Sequence, residues 1–208
     1  MISIREKLSL TLVISEAEAA PRRLTELVEL ALDGGVTAVQ LREKEAPGRK
    51  VYEEALALRT LCRSRHRLFI INDRLDIALA TDADGLHLGQ SDLPAEVAAG
   101  LLPAGKILGV SVGTVEQARA ALAAGAHYLG VGALFPTGSK SDAIEISPAE
   151  IAKIVALGAP IVGIGGLTVN NAAQAWSFGL SGLAVISALT AATDPTEAAR
   201  RLLAAAGA

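Results

Sequence analysis

The stretch VTAVQLREK, residues 36–44, begins as a β-branched, apolar run and ends in polar and charged residues. Its first half is typical of a buried strand. Buried charge is costly unless it is paired, so packing does not explain Arg42 or Lys44 at the end of that strand. Three later apolar runs end in the same way, FII before Asn72-Asp73, LHL before Gly89–Asp92 and LGV before Ser111. The sequence therefore predicts a repeated scaffold whose polar strand ends meet at one rim.

Short apolar runs alternate with segments of 3.6-residue periodicity along the whole chain. Eight such cycles in 208 residues predict an α/β fold, a compact (β/α)₈ TIM barrel that forms a single domain over residues 1–208. A doubly wound open sheet is the alternative, but it should show an early Gly-x-Gly-x-x-Gly turn, which the sequence lacks. The predicted strands are residues 10–15, 38–42, 68–72, 85–88, 107–112, 128–134, 161–165 and 182–187.

Helix boundaries also have local signals. Thr114, Ser147 and Asp194 precede helical patterns as N-caps, and proline follows the last two at the first helical position. Glycines at 34–35, 125 and 179 follow helical patterns where C-terminal caps are expected.

The composition weighs against several classes of protein. The 19 basic and 22 acidic residues give a net charge of -3, without the basic excess of a nucleic-acid binder. Cys62 is the single cysteine, so no intrachain disulfide forms, which fits a reducing, cytoplasmic environment. No apolar stretch approaches the roughly 20 residues of a membrane span. We expect a cytoplasmic protein with small-molecule partners; the sequence leaves a homo-oligomer open.

The predicted rim is where a barrel of this kind builds its active site, from strand ends and the loops that follow. It brings together three cations, Arg42, Lys44 and Lys140, and two carboxylates, Asp73 and Asp92. This set suits a polyanionic ligand with a divalent metal, because Mg²⁺ is commonly held by one or two carboxylates plus substrate phosphates. Taken singly, each charge is also compatible with a solvated surface, and Asp73 with capping a helix near residue 75. Other residues expected at the rim are Gln40, Asn72, Ser111, Thr137, Gly138, Ser139 and Ser187.

A second anion site is predicted at Gly165-Gly166, which Thr168 follows. Glycine lets backbone N–H groups approach an anion closely, and barrels frequently bind phosphate at the loops after strands seven and eight. Gly166 and Ser187 would then form a site distinct from the cationic cluster. A tight structural turn is the alternative interpretation of the glycines.

No nucleophile is evident. Cys62 lies in a helical pattern and is expected to be buried, and His87 lies inside the fourth predicted strand as a hydrogen-bonded core residue. Leu41 is expected in the core, and Glu43 is expected to face away from the rim as structural support. Hydrolysis through a covalent enzyme intermediate is therefore poorly supported.

Eight motifs resemble the thiamine-phosphate synthase family and occur in order along nearly the whole chain. They are QLREK at 40–44, INDR at 71–74, DGLHLGQSD at 84–92, GVS at 109–111, YLGVG at 128–132, FPTGSKSD at 135–142, GIGG at 163–166 and AVIS at 184–187. The chain departs from the family at Ser139, where threonine is expected, and serine keeps the hydroxyl.

The resemblance implies a transferase that joins 4-amino-2-methyl-5-(diphosphomethyl)pyrimidine to 4-methyl-5-(2-phosphoethyl)thiazole, forming thiamine phosphate and pyrophosphate. It implies Mg²⁺ at Asp73 and Asp92, and catalytic roles for Arg42, Lys44, Lys140 and Ser111. The implied ligands of the pyrimidine diphosphate are Gln40, Leu41, Arg42, Glu43, Lys44, Asn72, Ser111 and Lys140. The implied ligands of the thiazole phosphate are Thr137, Gly138, Ser139, Gly166, Ile186 and Ser187.

Three alternatives remain at this point. The thiazole tautomerases of the same family would carry a histidine at the end of strand six, where this chain has Gly132-Ala133-Leu134. Other phosphate-binding barrels would explain Gly165-Gly166 but not the cations and aspartates together. A non-catalytic binder of thiamine precursors would bind thiazole phosphate and release no pyrophosphate.

Overall fold

A computed structural model of the chain describes residues 3–137 and 145–207, and in them eight parallel strands close into a barrel in sequence order. The strands are β1 (Leu10–Ile14), β2 (Ala38–Leu41), β3 (Leu68–Asn72), β4 (Gly85–Leu88), β5 (Ile107–Val112), β6 (Tyr128–Val131), β7 (Ile161–Ile164) and β8 (Gly182–Val185). The last strand pairs in parallel with the first, Leu10 opposite Leu183, which closes the sheet. The predicted (β/α)₈ TIM barrel is confirmed.

Helices separate successive strands and cover the outside of the barrel. They are α1 (Ile4–Lys7), α2 (Glu16–Ala19), α3 (Leu24–Asp33), α4 (Gly48–Ser64), α5 (Leu75–Ala80), α6 (Ala95–Leu101), α7 (Val115–Ala123), α8 (Pro148–Val155), α9 (Ala172–Ser177), α10 (Ser187–Thr190) and α11 (Pro195–Ala204), and a 3₁₀ helix follows at Ala205–Gly207. In the described ranges, no helix is long and apolar enough to cross a membrane.

The helix ends follow the local signals in the sequence. Thr114, Ser147 and Asp194 are N-caps whose side chains accept hydrogen bonds from backbone N–H groups of the first turn. Gly125 and Gly179 adopt φ of +95° and +79°, the left-handed conformation that glycine allows at helix ends. The least accurate strand prediction is the sixth, since β6 ends at Val131 and not at residue 134.

Each strand alternates its side chains between two packing layers, because successive side chains point to opposite faces of a sheet. Residues such as Leu41 and Phe69 point outward into the large apolar layer under the helices. Residues such as Val13, Ile70 and Tyr128 point inward and form a second, smaller cluster inside the barrel. The polar residues at the strand ends also point inward, and they lie at the rim because they come at the carboxyl ends of the strands.

Several ion pairs lie at the end of the barrel opposite the polar rim. Asp82, just before β4, contacts both Arg59 and Lys106, and Arg65 contacts Asp33.

Cys62, on α4, is fully buried, and burial raises the pKa of its thiol to about 12. The cysteine is a small core residue, as expected.

Candidate active site

Two adjoining cavities open at the carboxyl ends of the strands. The larger, of about 870 Å³, is lined by residues that include Ser111, Thr137, Gly166, Ile186 and Ser187. The smaller is a recess of about 40 Å³ inside the barrel mouth. Its polar lining consists of Thr11, Gln40, Arg42, Asn72, His87, Ser111 and Tyr128. Ser111 and Ile186 line both cavities, so the recess that contains Arg42 adjoins the cavity that contains Gly166 and Ser187. Lys44, Asp73 and Asp92 are not among the lining residues of either cavity.

The two metal-site candidates, Asp73 and Asp92, are neighbours whose carboxyl groups interact directly. Burial and the hydrogen bond with Asp92 raise the pKa of Asp73, although its ion pair with Lys44 opposes the rise. Burial also acts to raise the pKa of Asp92, but hydrogen bonds from Asp73 and from the Gly89 N–H outweigh it and lower that pKa. The pair therefore favours one shared proton or a cation between its oxygens.

Asp73 is held in an unusual backbone conformation. Its φ is +63°, in the left-handed region that costs most non-glycine residues energy and is found mainly at turns and functional sites. Its N–H donates to the carbonyl of His87 over 2.8 Å, which ties the end of β3 to β4. The N-cap of α5 is Arg74, without a side-chain capping bond, so the alternative role of Asp73 as a helix cap is not observed.

The donor set fits Mg²⁺. In residues 3–137 and 145–207, no group of three or more His, Cys, Asp or Glu residues could hold a metal ion. Two carboxylates are nevertheless a common protein contribution to a Mg²⁺ site, where water and substrate phosphates complete the coordination. Asp73 and Asp92 would hold the ion, and Lys44, paired with Asp73, lies beside it.

A glycine turn forms the floor of the larger cavity after β7. Gly165 and Gly166 adopt φ of +100° and +65°, and a Cβ on Gly166 would lie 2.5 Å from the Pro136 carbonyl oxygen. Asn171 secures the turn, because its side chain donates to the Gly166 carbonyl over 2.8 Å and accepts from the Thr168 N–H over 2.8 Å. This turn is therefore tightly packed, and its backbone also forms part of the cavity wall. Asn171 supports the turn and was not predicted from the sequence.

A chain of polar side chains crosses the barrel interior below the recess. His87 Nε2 lies 2.8 Å from Ser111 Oγ, and His87 Nδ1 lies 2.8 Å from the Tyr128 hydroxyl. Gln40, only 6% exposed, interacts with the Tyr128 hydroxyl. His87 is hydrogen-bonded and buried, as predicted, but it also faces the site. Its inward phase on β4, beside glycines on β5 and β6, was the signal that could have shown this.

The remaining predicted site residues divide into three groups. Leu41 points outward into the core, and the Glu43 carboxylate accepts a hydrogen bond from the Glu16 N–H, so neither side chain faces the recess. Gly138, Ser139 and Lys140 lie outside the described residues. Arg42, Asn72 and Ser111 line the recess, and Thr137, Gly166, Ile186 and Ser187 line the larger cavity.

The fold and the rim define a class, the (β/α)₈-barrel enzymes that work at the carboxyl ends of their strands. A sequence model of the thiamine monophosphate synthase family matches residues 10–189. The chain belongs to this family.

Individual relatives agree over nearly the full length. The thiamine-phosphate synthase of Moorella thermoacetica is 53% identical over 197 residues, which covers 93% of each chain. The thiamine-phosphate synthase of Coprothermobacter proteolyticus is 45% identical, over 96% of this chain and 95% of its own. A solved structure, thiamine phosphate pyrophosphorylase from Pyrococcus furiosus, matches with a TM-score of 0.90 and 41% identity, covering 99% of this chain and 98% of that one. The family resemblance and the expectation of a transferase enzyme are confirmed.

Proposed function

We propose that this chain is a thiamine-phosphate synthase that condenses 4-amino-2-methyl-5-(diphosphomethyl)pyrimidine with 4-methyl-5-(2-phosphoethyl)thiazole and releases pyrophosphate. The supporting observation is the joined pair of cavities. Arg42 lines the smaller cavity, and Gly166 and Ser187 line the larger one. The ion pair of Lys44 with Asp73, and Asp92, which interacts with Asp73, follow β3 and β4 at the same rim. Two anionic substrates would thereby meet with their reacting carbons and nitrogens between the two anion sites.

The diphosphate half of the proposal rests on Arg42 and Lys44. Arg42 lines the recess, and Lys44 is placed beside Asp73. Mg²⁺ held by Asp73 and Asp92 would neutralise charge that develops on the leaving pyrophosphate. Arg42 and Lys44, with Lys140 from the loop after β6, would donate hydrogen bonds to the same oxygens.

The thiazole half rests on the turn after β7 and the start of α10. Gly166 and Ser187 line the larger cavity. In barrels of this type, the loops after strands seven and eight and a short extra helix frequently hold phosphate. A phosphate bound there would orient the thiazole, and its ring nitrogen would point toward the pyrimidine methylene. Positioning of this kind can supply several kcal/mol of the barrier lowering.

The proposed substitution is dissociative. The carbon–oxygen bond to pyrophosphate breaks first, and the aminopyrimidine ring stabilises the positive charge left on its methylene. The thiazole nitrogen then forms the new carbon–nitrogen bond with its lone pair. No nucleophile of the protein is required, which agrees with a buried Cys62.

The experiment is a coupled assay of pyrophosphate release with both substrates and Mg²⁺. We expect pyrophosphate and thiamine phosphate in equal amounts, and a fall of at least about 100-fold in turnover for Arg42→Ala, Lys140→Ala and Asp73→Ala. Asp33→Asn, which alters an ion pair at the other end of the barrel, is the control and should retain activity. Binding of thiazole phosphate without any pyrophosphate release would identify a non-catalytic binder and overturn the proposal.

A further inference from the structure

The large apolar side chains that stay exposed in residues 3–137 and 145–207 are concentrated on one side of the barrel. They are Tyr52, Leu56, Leu79, Leu93, Val97 and Leu101. The first two lie on α4, the third lies on α5, and the last two lie on α6, with Leu93 in the loop just before that helix. These helices are consecutive around the barrel, because α4 packs on β2 and β3, α5 on β3 and β4, and α6 on β5. We call the surface formed by these six residues the α4–α6 face.

On α4, the side chains of this face point toward α5. Tyr52 and Leu56 each follow a core residue by one position, which places them about 100° around the helix from the core. Arg59 has the same position relative to the core residue Leu58, and its Nε donates over 2.9 Å to the carbonyl of Asp82, just beyond α5. This flank of α4 therefore faces α5.

The side chains on α5 and α6 point toward each other. Leu79 follows the core residue Ala78 by one position, so it points from α5 toward α6. Val97 and Leu101 each precede a core-facing residue by one position. They point back toward α5, because the helices of such a barrel all run in one direction. Apolar side chains from three helices therefore converge above α5 and form one surface.

The size of the α4–α6 face matches the apolar part of a dimer interface. With 37% to 57% of each residue exposed, the six expose on the order of 500 Å² of mainly apolar surface, near the upper end for the largest patch on a typical monomer. A standard interface buries about 800 Å² of each partner, and homodimer interfaces are about 65% apolar. The face thus supplies about the apolar area that one copy would bury against another.

The charges around the face indicate the kind of partner. Exposed residues of both signs border it, Glu53 and Arg63 on α4 and Glu96 on α6. A lipid surface selects a helix face whose charges are mainly lysine and arginine. In a symmetric dimer the same patch meets itself, so a border of one sign would repel its copy, whereas a mixed border does not. The mixed charges therefore favour a second copy of the chain over a lipid surface.

We propose that the α4–α6 face joins two copies of this chain in a symmetric dimer. Each copy would cover the exposed apolar side chains of the other, with α5 at the centre of the interface. None of the six residues lines either cavity, so both sites would stay open to substrate in the dimer. The proposal is independent of the proposed function.

Sedimentation velocity of the full chain, over dilutions from about 100 μM to about 0.1 μM, tests the proposal, since standard-size interfaces have Kd values of about 1 μM or below. We expect the wild-type protein to sediment with twice the mass of one chain at the higher concentrations. Leu101→Glu places a charge at a position that is 57% exposed in one copy, so the barrel should still fold. The same charge would be buried without a partner in the dimer, and we expect the Kd to rise at least about 100-fold.

Ala173→Glu is the matched control. It adds the same charge at an exposed position on α9, which follows β7 on the opposite side of the barrel, and it should leave the dimer intact. Val97→Glu is a second variant within the face and decides the matter if circular dichroism shows that Leu101→Glu is unfolded. A wild-type protein that is monomeric at the highest concentration would leave the face to a different partner and overturn the proposal. A dimer that remains as tight as wild type in a folded face variant would overturn it as well.

Discussion

At the scale of the residue, Gly166 is the position where the addition of a single methyl group should weaken binding at one anion site and leave the other unchanged. Its φ is +65°, and an added Cβ would lie 2.5 Å and 2.7 Å from the carbonyl oxygens of Pro136 and Phe135. Backbone atoms cannot yield as a flexible side chain would, so the turn after β7 must shift.

We expect Gly166→Ala to raise KM for the thiazole phosphate at least about tenfold while KM for the pyrimidine diphosphate changes little. Steady-state kinetics with each substrate varied in turn checks this. Gly158→Ala is the control, because Gly158 has φ of +78° but no atom within 4 Å of its Cβ, so it introduces the backbone strain alone. Equal increases in both KM values for Gly166→Ala would contradict two separate sites.

Residues also mark the limit of what the sequence could predict about the site. Arg42, Asn72 and Ser111 were predicted because a polar residue at the end of an apolar strand has no packing explanation. Tyr128 and His87 were missed as site residues because each also has an ordinary interpretation as a core residue. Only the pairing of β4, β5 and β6 brings their rings, and the glycines that make room for them, to one level of the barrel.

At the scale of the element, helix α4 carries a carboxyl group in an unfavourable setting. Both Glu54 carboxylate oxygens are buried without a hydrogen-bond partner in the described ranges. Burial, followed by the charges of Glu43 and Glu16, raises the pKa of Glu54 to about 7, and Lys50 at 3.8 Å only partly offsets this. The folded protein therefore binds a proton at Glu54 more tightly than the unfolded chain does.

The contribution of Glu54 to the stability of the fold therefore depends on pH. A carboxyl whose folded pKa is raised contributes stability below its unfolded value, near 4.5, and that contribution is lost as pH rises through about 7. We expect Glu54→Gln to be more stable than wild type at pH 8 by about 1–2 kcal/mol, after allowance for solvent screening by its exposed neighbours, and nearly equal at pH 5.

Denaturant unfolding at the two pH values measures this difference. Glu53→Gln, one position earlier on the same helix and exposed, is the matched control and should show almost no pH-dependent change. A Glu54→Gln protein that is less stable than wild type at pH 8 would show that the carboxylate is favourably placed.

At the scale of the whole molecule, the barrel depends on a close approach where β8 meets the segment before β1. A Cβ on Gly182 would lie 1.9 Å from the Leu8 carbonyl oxygen, so a side chain there must open the seam that closes the sheet. We expect Gly182→Ala to lower the free energy of unfolding by about 3 kcal/mol or more.

Equilibrium unfolding in urea checks this value. Gly100→Ala is the control, because Gly100 lies in α6 with no atom within 4 Å of its Cβ, and alanine there should stabilise by about 0.5–1 kcal/mol. If Gly182→Ala were as stable as wild type, the β1–β8 seam would not limit the stability of the barrel.

The whole fold was more predictable than the site. Eight strand-and-helix cycles set the barrel, because parallel strands need crossover helices and the connections have one preferred hand. The N-caps at Thr114 and Ser147 could be predicted because each side chain bonds to a backbone N–H only three residues later. Contacts between loops, such as that of Pro136 with Gly166, join residues far apart in sequence and leave no periodic signal.

The ion pairs of Asp82 with Arg59 and Lys106 have a consequence for how such a protein can change over generations. They lie the length of β4, about 13 Å, from the rim. Substitutions that far apart with no shared partners usually have additive effects on stability. A lineage that moves to a hotter or saltier habitat can therefore replace the charged residues at this end of the barrel one at a time. The residues at the rim need not change with them.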